Sequence, residues 1–505
     1  MHLRSAIVAG TAFAQTALAI SSTVHAKNVI YIVPDGYGPA SQNMARDLAA
    51  LIETGTTGSN PEIHELAVDD LAIARVRTHS ASSMITDSAA SGTAFASGHK
   101  SYNGAISVTP EGLPVGSILE AAKLKGLKTG LVSTTAITDA TPAVYAAHVA
   151  NRGSQPLIAE QELGYSHPLG PMVDLLLGGG RCNFLPSDSP GSCRSDSLDL
   201  LDYAAEQGFT VATTRAEFNT TLSKSKSPRL PILGLFNTGS MRYEMDRRIA
   251  QDEPSLLEMT QTAVNALHTA TRLPWNKGYF LMIEAARIDH AGHDNDPATH
   301  AHETWMYNDV VAWVRAWIDN HPDTILLSAA DHETGGLTLN GYDPLPLRNV
   351  THSRAHLQEI WDRDAPDSAE GRREFLASAI LPLAGLADAS DAEVGGILAA
   401  ASIGAGIAAR LSSRAGVDWS TGGHTSVDVT LHGYAAPGVR RRALKADLAG
   451  GWDNTELPRY IESVLGLDMD GVTRRLRKAA EEEDAWLGRS EAAKRGVVGE
   501  YEHHH

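Results

Sequence analysis

The chain predicts an α/β fold with a doubly wound, mainly parallel sheet flanked by helices, and three observations carry that expectation. Short, uncharged, β-branched runs alternate with longer segments of helical period. The short runs are apolar throughout rather than at every second residue. Four of them end in an acid. Continuous apolar runs suit strands buried on both faces, hence a parallel sheet covered by helices. Strand–helix alternation winds such a sheet.

The elements follow in order. Residues 28–33 form the first strand and run into Pro34-Asp35-Gly36. Residues 130–134 lead to Thr138-Asp139-Ala140-Thr141-Pro142, and residues 278–283 end in Glu284, with Asp289 and His293 close behind. Residues 324–330 end in Asp331-His332, and the run 427–434 follows Gly422-Gly423-His424-Thr425. The clearest helical periods cover 115–125, 198–207, 254–272 and 301–320. Gly178-Gly179-Gly180 lacks the downstream Lys-Ser/Thr of a phosphate loop and reads as a strand-end turn. Residues 342–416 interrupt the alternation with charged and Ala-rich helical sequence, and 471–505 form a charged tail ending in His503-His504-His505. His300, His302 and His321 read as surface histidines, and His148 as packing near a helix that carries Arg152.

Ligands of open α/β sheets bind beyond the carboxyl ends of the strands. Asp35, Glu284, Asp331 and the Asp139/Thr141 pair therefore belong on one rim. Gathered carboxylates repel unless cations neutralise them. Asp289-x3-His293, Asp331-His332 and His424 add imidazole nitrogen; imidazole with carboxylate suits zinc, and carboxylate with hydroxyl suits magnesium. Residues 84–98 supply a candidate nucleophile. Thr86, Asp87 and Ser88 cap a small-residue helix whose N-terminus offers unpaired N–H groups and a positive dipole to an anion. Taken alone, that stretch also reads as an ordinary N-cap.

Together these stretches resemble the alkaline phosphatase family. The matching segments are 33–38, 86–91, 139–142, 148–152, 284–293, 331–332 and 423–424, in the family's order, within residues 27 to 465. Residues 287–296, 331–336 and 454–458 are most similar to the fungal vacuolar or secreted branch. The resemblance implies two zinc ions and one magnesium. One zinc would take Asp289, His293 and His424; the second Asp35, Asp331, His332 and, during turnover, Ser88; magnesium would take Asp35, Thr141 and Glu284. Ser88 would carry a phosphoserine, Arg152 would clamp phosphate oxygens, Asp87 would hold Arg152, and Asp139 and His290 would lie beside the phosphate and the magnesium. It also implies substrates that are phosphate monoesters, a homodimer, and a "crown" insertion over 342–416 within a core of 27–341 and 417–470. Asp139 matches many bacterial members and His290 the animal ones, so the chain mixes two styles. Asn237 stands where animal members have an acid at a calcium site, and that site is not expected here.

Other readings stay beside this one. A sulfatase needs Cys/Ser-x-Pro-x-Arg, whereas Ser88 is followed by Ala-Ala-Ser. Phosphodiesterases of the superfamily often use Thr and lack the third metal. A non-catalytic metal and phosphate binder would not need Ser88 with Arg152.

The chain has 505 residues and a net charge of −18, from 42 basic against 60 acidic side chains. That balance argues against nucleic acid as a partner. Residues 1–26 read as a signal peptide, with Arg4, a moderately apolar run and Ala26 at the cleavage position, which directs the chain to a secreted, periplasmic or vacuolar-lumen location. Cys182 and Cys193 are the only cysteines, and in an exported chain they pair as one disulfide.

Overall fold

The computed structural model describes residues 22–55, 64–223 and 228–488. Most of the expected signal peptide, the end of the charged tail and His503–His505 lie outside the described residues. Of the leader, Val24 is buried and Thr23 binds Asp447 through its amide (2.9 Å) and hydroxyl (2.7 Å).

Ten strands make the central sheet: β1 (Asn28–Pro34), β2 (Ala72–Arg77), β3 (Lys128–Ala136), β4 (Leu175–Gly179), β5 (Thr210–Ala212), β6 (Ile232–Leu235), β7 (Tyr279–Ala285), β8 (Thr324–Ser328), β9 (Val429–Ala435) and β10 (Gly450–Asp453). Their spatial order is β10-β2-β9-β8-β1-β7-β3-β4-β6-β5. Every pairing is parallel except the two made by β9, with β2 and with β8. The uncharged runs fall where continuous burial demands them: each residue of β1, β7 and β8 is buried. At the edge, β2 and β10 are largely exposed or half-buried, and their sequences carry Arg75, Arg77 and Asp453.

The four acid-ended runs are β8, β1, β7 and β3, four neighbours at the centre of the sheet. Their carboxyl ends therefore share one rim. The expected helices appear as Ile118–Lys125, Leu200–Glu206, Leu256–Thr271 and Pro297–Asn320. Capping boxes at Ser117/Glu120 and Ser255/Glu258 set two of the starts. Within 342–416 the structure is helical, including Arg354–Asp364, Asp391–Leu398 and Ile403–Ala415, and an antiparallel ribbon of Leu337–Leu339 with Val417–Trp419 closes its base. The tail helix Met469–Glu482 is not wholly solvated: Met469, Val472 and Leu476 are buried, as are Trp486 and Leu487 beyond it.

Two expectations need correction. His300 is fully buried, with Nε2 2.8 Å from Ser41 Oγ, because Pro297–Asn320 packs its N-terminal half against helix Pro39–Thr54. Arg152 lies in a turn, not a helix, and His148 is enclosed elsewhere, in a buried group described below.

Candidate active site and metal centre

Ser88 is the first residue of helix Ser88–Ser97, in which every residue is buried. Asp87 is the N-cap; its Oδ1 accepts from Ala90 N at 2.9 Å. Small side chains let this helix sit tightly: a Cβ on Gly92 would lie 3.1 Å from Val144 Cγ2. The neighbour across that contact is the short helix Ala140–Ala143, capped by Asp139 and carrying Thr141. The absence of bulk thus lets the Ser88 helix pack directly on the helix that carries Thr141.

Asp35 follows β1 directly, and Gly36 turns the chain at φ +74°. A Cβ there would approach Asp289 Cα to 2.5 Å, so the glycine is what lets this turn meet the next ligand-bearing helix. That helix, Arg287–His293, places Asp289 and His293 four residues apart on one face. His424 comes from far along the chain. A two-residue ribbon pairs His424 with Thr334, and so docks it beside His332. The His332 and His424 rings stack with centroids 3.5 Å apart.

Proton placement decides what these groups can do. His293 Nδ1 lies 2.6 Å from the Gly422 carbonyl, and His424 Nδ1 lies 2.8 Å from the Thr86 carbonyl. A carbonyl only accepts, so each Nδ1 carries a proton and each Nε2 faces inward, the atom a cation would bind in place of any proton there. Those two Nε2 atoms are 3.1 Å apart, with Asp289 oxygens 3.2 Å and 3.5 Å away. Thr334 Oγ1 donates to Asp289, leaving it to accept from His332 Nδ1 at 3.2 Å. His332 Nε2 therefore also points inward, 3.1 Å from Ser88 Oγ, 3.2 Å from Asp331 and 3.6 Å from Asp35. Asp35 Oδ1, both Asp331 oxygens and Thr141 Oγ1 are buried without a hydrogen-bond partner. Converging lone pairs and orphaned buried oxygens are what a divalent cation satisfies.

The electrostatics agree. Burial, then Asp331, Asp289 and Glu284, push the Asp35 carboxyl well above its ordinary range. Burial and Asp289 push Asp331 up to about 6, and burial, reinforced by Asp139 and Asp331, pushes Glu284 up to about 8. Burial would lower His293, yet Asp289 holds it up to about 9. The cavity thus favours positive charge among its acids.

Arg152 is held on two sides. Its Nη1 donates to Asp87 (3.2 Å) and its Nη2 to Asp139 (3.0 Å). Burial would raise the Asp139 carboxyl, but Arg152 and the Ala140 amide keep it below the usual range. His290 receives the Arg287 Nε–H at Nδ1 (3.2 Å); burial and the Arg287 charge push it down to about 4, so it is a neutral imidazole. Cys182 and Cys193 form the expected disulfide.

The sequence reading missed three supports. Ser133, paired in register with Glu284 across β3 and β7, donates to Glu284 Oε2. Thr135 donates to Asp139 Oδ2 at 3.2 Å. Thr334 orients Asp289 and His332 together. Serine and threonine carry no spacing signal; only strand register and the Glu333–Thr334 ribbon bring them in.

Glu120, His148 and His167 form a further acid–imidazole group, fully buried. Glu120 Oε1 receives His148 Nε2 at 3.0 Å and His167 Nε2 at 2.9 Å. His148 Nδ1 faces the Ser107 carbonyl at 3.0 Å, and His167 Nδ1 accepts from Leu169 N at 3.1 Å. The Leu169 amide occupies His167 Nδ1, so His167 Nε2 carries a proton to Glu120; His148, whose Nδ1 meets a carbonyl, is held as an imidazolium by the Glu120 carboxylate, which puts a proton on its Nε2 as well. This group is a closed carboxylate–imidazolium–imidazole set.

The comparisons with known proteins span the same part of the chain. The family model described as alkaline phosphatase matches residues 26–467. The chain belongs to the alkaline phosphatase family. It is 38% identical over 474 residues to the alkaline phosphatase of Schizosaccharomyces pombe, covering 90% of this chain and 84% of that protein. It is 37% identical over 496 residues to the repressible alkaline phosphatase of Saccharomyces cerevisiae, covering 92% and 85%. Among solved structures, the Thermus thermophilus alkaline phosphatase matches with a TM-score of 0.74 and 28% identity, over 93% of this chain and all of that one. The chain is accordingly a phosphatase, with residue groups able to hold metals at the carboxyl ends of its central strands.

Proposed function

We propose that this alkaline phosphatase hydrolyses phosphate monoesters by double displacement through a phosphoserine on Ser88. The observation that carries the reading is the meeting, around one buried hydroxyl, of inward-facing imidazole nitrogens, orphaned carboxylates and a two-handed guanidinium.

The donor sets fit two zinc ions and one magnesium. Asp289, His293 and His424 would hold one zinc; Asp35, Asp331 and His332 the second; Asp35, Thr141 and Glu284 the magnesium. When bound, these ions neutralise the gathered carboxylates and act as Lewis acids toward the attacking and leaving oxygens. The chain's own groups supply the rest. Arg152 presents its planar fork to two phosphate oxygens, and Asp87 and Asp139 keep that fork from turning away. Ser88 Oγ attacks phosphorus from the N-terminus of its helix, where the dipole favours negative charge. The alcohol leaves, and water then displaces the phosphate from Ser88. Positioning and charge dominate, since the transition state asks little covalent work of the protein.

Hydrolysis of p-nitrophenyl phosphate compared with bis(p-nitrophenyl) phosphate, in zinc and magnesium, tests the reading. Fast turnover of the monoester with phosphate trapped on Ser88 supports it; preference for the diester contradicts it. The Cys182–Cys193 disulfide suits an oxidising compartment, and the reading extends to an exported enzyme. No helix among the described residues is long and apolar enough to cross a membrane. We also carry the family's homodimer as a proposal, to be checked by sedimentation.

A further inference from the structure

Asn454 follows β10, at the far edge of the sheet from β3, yet it is completely buried. Its Oδ1 accepts from Lys100 Nζ at 2.6 Å. Its Nδ2 donates to the Thr78 carbonyl at 3.3 Å and to Ser91 Oγ at 3.1 Å. The neighbours fix this orientation of the amide, because an ammonium only donates and a carbonyl only accepts. Ser91 Oγ passes its single proton to the Asp331 carbonyl at 2.7 Å. Ser91 lies three residues beyond Ser88, one turn along the same helix. Every donor in the chain Lys100, Asn454, Ser91, Asp331 therefore points the same way, and aligned hydrogen bonds reinforce one another.

We propose that Asn454 is a positioning residue for phosphoryl transfer. Through Ser91 it fixes the Ser88 helix against the strand end bearing Asp331 and His332, and so sets the approach of Ser88 Oγ to His332. The inference rests on Ser88 being the nucleophile. It adds a residue from the 454–458 stretch, whose amide ties the ends of β2 and β10 to the nucleophile helix and, through Ser91, to the end of β8. Such a link matters because a shift of about 1 Å in a reacting group can cost about 100-fold in rate. A purely structural hydrogen bond would lower stability and leave turnover of the folded enzyme alone.

The test is a double-mutant cycle with Asn454→Asp and Ser91→Ala, read on p-nitrophenyl phosphate well below each variant's melting temperature. Asn454→Asp keeps the shape and the Lys100 contact but cannot donate to Ser91. Each single change is expected to lower kcat about tenfold with KM within about twofold, and the double to be no worse than the poorer single. Unchanged kcat in either folded single variant overturns the proposal, as does a double variant whose losses multiply. Ser91→Ala fits a helix of small residues, so it keeps the test decisive if Asn454→Asp fails to fold. Ser88→Ala separates the two layers: full activity there defeats the nucleophile, whereas lost activity there with normal Ser91→Ala defeats only the positioning.

Discussion

Two buried groups in this molecule combine acids with imidazoles, and they do opposite things. In one, Asp289, His293 and His424, with Asp35, Asp331 and His332 alongside, turn several Nε2 atoms and carboxylate oxygens toward a common space. In the other, Glu120 receives a proton from each of His148 and His167. Residue type and proximity are the same. The difference lies in the far nitrogen of one ring, His167, and in the single carboxylate that both rings share; His148 Nδ1 meets the Ser107 carbonyl much as His293 and His424 meet theirs. Carbonyls at Gly422 and Thr86 hold protons on Nδ1 of His293 and His424 and turn their Nε2 atoms inward, toward each other and Asp289. The Leu169 amide takes the Nδ1 lone pair of His167 and forces a proton onto Nε2. One outer hydrogen bond, on His167, together with a carboxylate shared by two imidazole N–H groups, closes the second group to a metal.

The largest effect that could break this contrast is on chemistry. Ser88→Ala should lower kcat on the order of 10³-fold or more while zinc content stays at the wild-type level; a parallel loss of zinc would move Ser88 into a structural role. Next comes folding. Removing one member of the closed set, by His148→Ala, should destabilise by about 3–5 kcal/mol, since it strands a buried charge. Urea unfolding measures this, and zinc per folded chain should not change. His424→Ala should behave the other way, losing about one zinc per chain by elemental analysis.

A pH series sharpens the same comparison. Burial opposes the charge on both partners, but the Glu120 carboxylate holds His148 above its ordinary range, and the two histidines hold Glu120 below its own. The His148 contribution is present below the unfolded pKa of about 6.5 and fades as pH rises through its raised folded value. The Glu120 contribution is present above about 4.3 and fades as pH falls through its lowered one. The stability gap between wild type and Glu120→Gln should therefore be widest between those limits and narrow toward both acid and alkali; a gap that is flat with pH would show that the set is uncharged. Smallest is Arg152→Lys. It keeps the charge but loses the fork, and should cost about tenfold in kcat/KM while weakening inhibition by inorganic phosphate.

Much of the productive cluster was legible in the sequence because strand ends announce themselves. Uncharged runs stop at Asp35, Glu284 and Asp331, and the α/β rule sends all three to one rim. The family's motifs pointed to His424 and Arg152, whose partners lie far off in sequence. What could not be read were the supports, since they arise from pairing between distant segments. Ser133 reaches Glu284 only through the β3–β7 register, and Thr334 reaches Asp289, 45 residues back, only in the folded chain, where its ribbon with His424 has formed. The closed set was missed for the same reason: Glu120 reads as a capping-box residue, which it also is, and nothing local links it to His167. His300 misled because a histidine on a polar-looking helix gives no sign of the neighbouring helix that buries it.

Anomalous diffraction at the zinc edge, from crystals grown with zinc, tests most directly the claim that proton placement separates the two groups. The account predicts peaks between Asp289, His293 and His424 and between Asp35, Asp331 and His332, with none at Glu120, His148 and His167. A zinc peak inside the Glu120 group, or bare density at the other two, would contradict it.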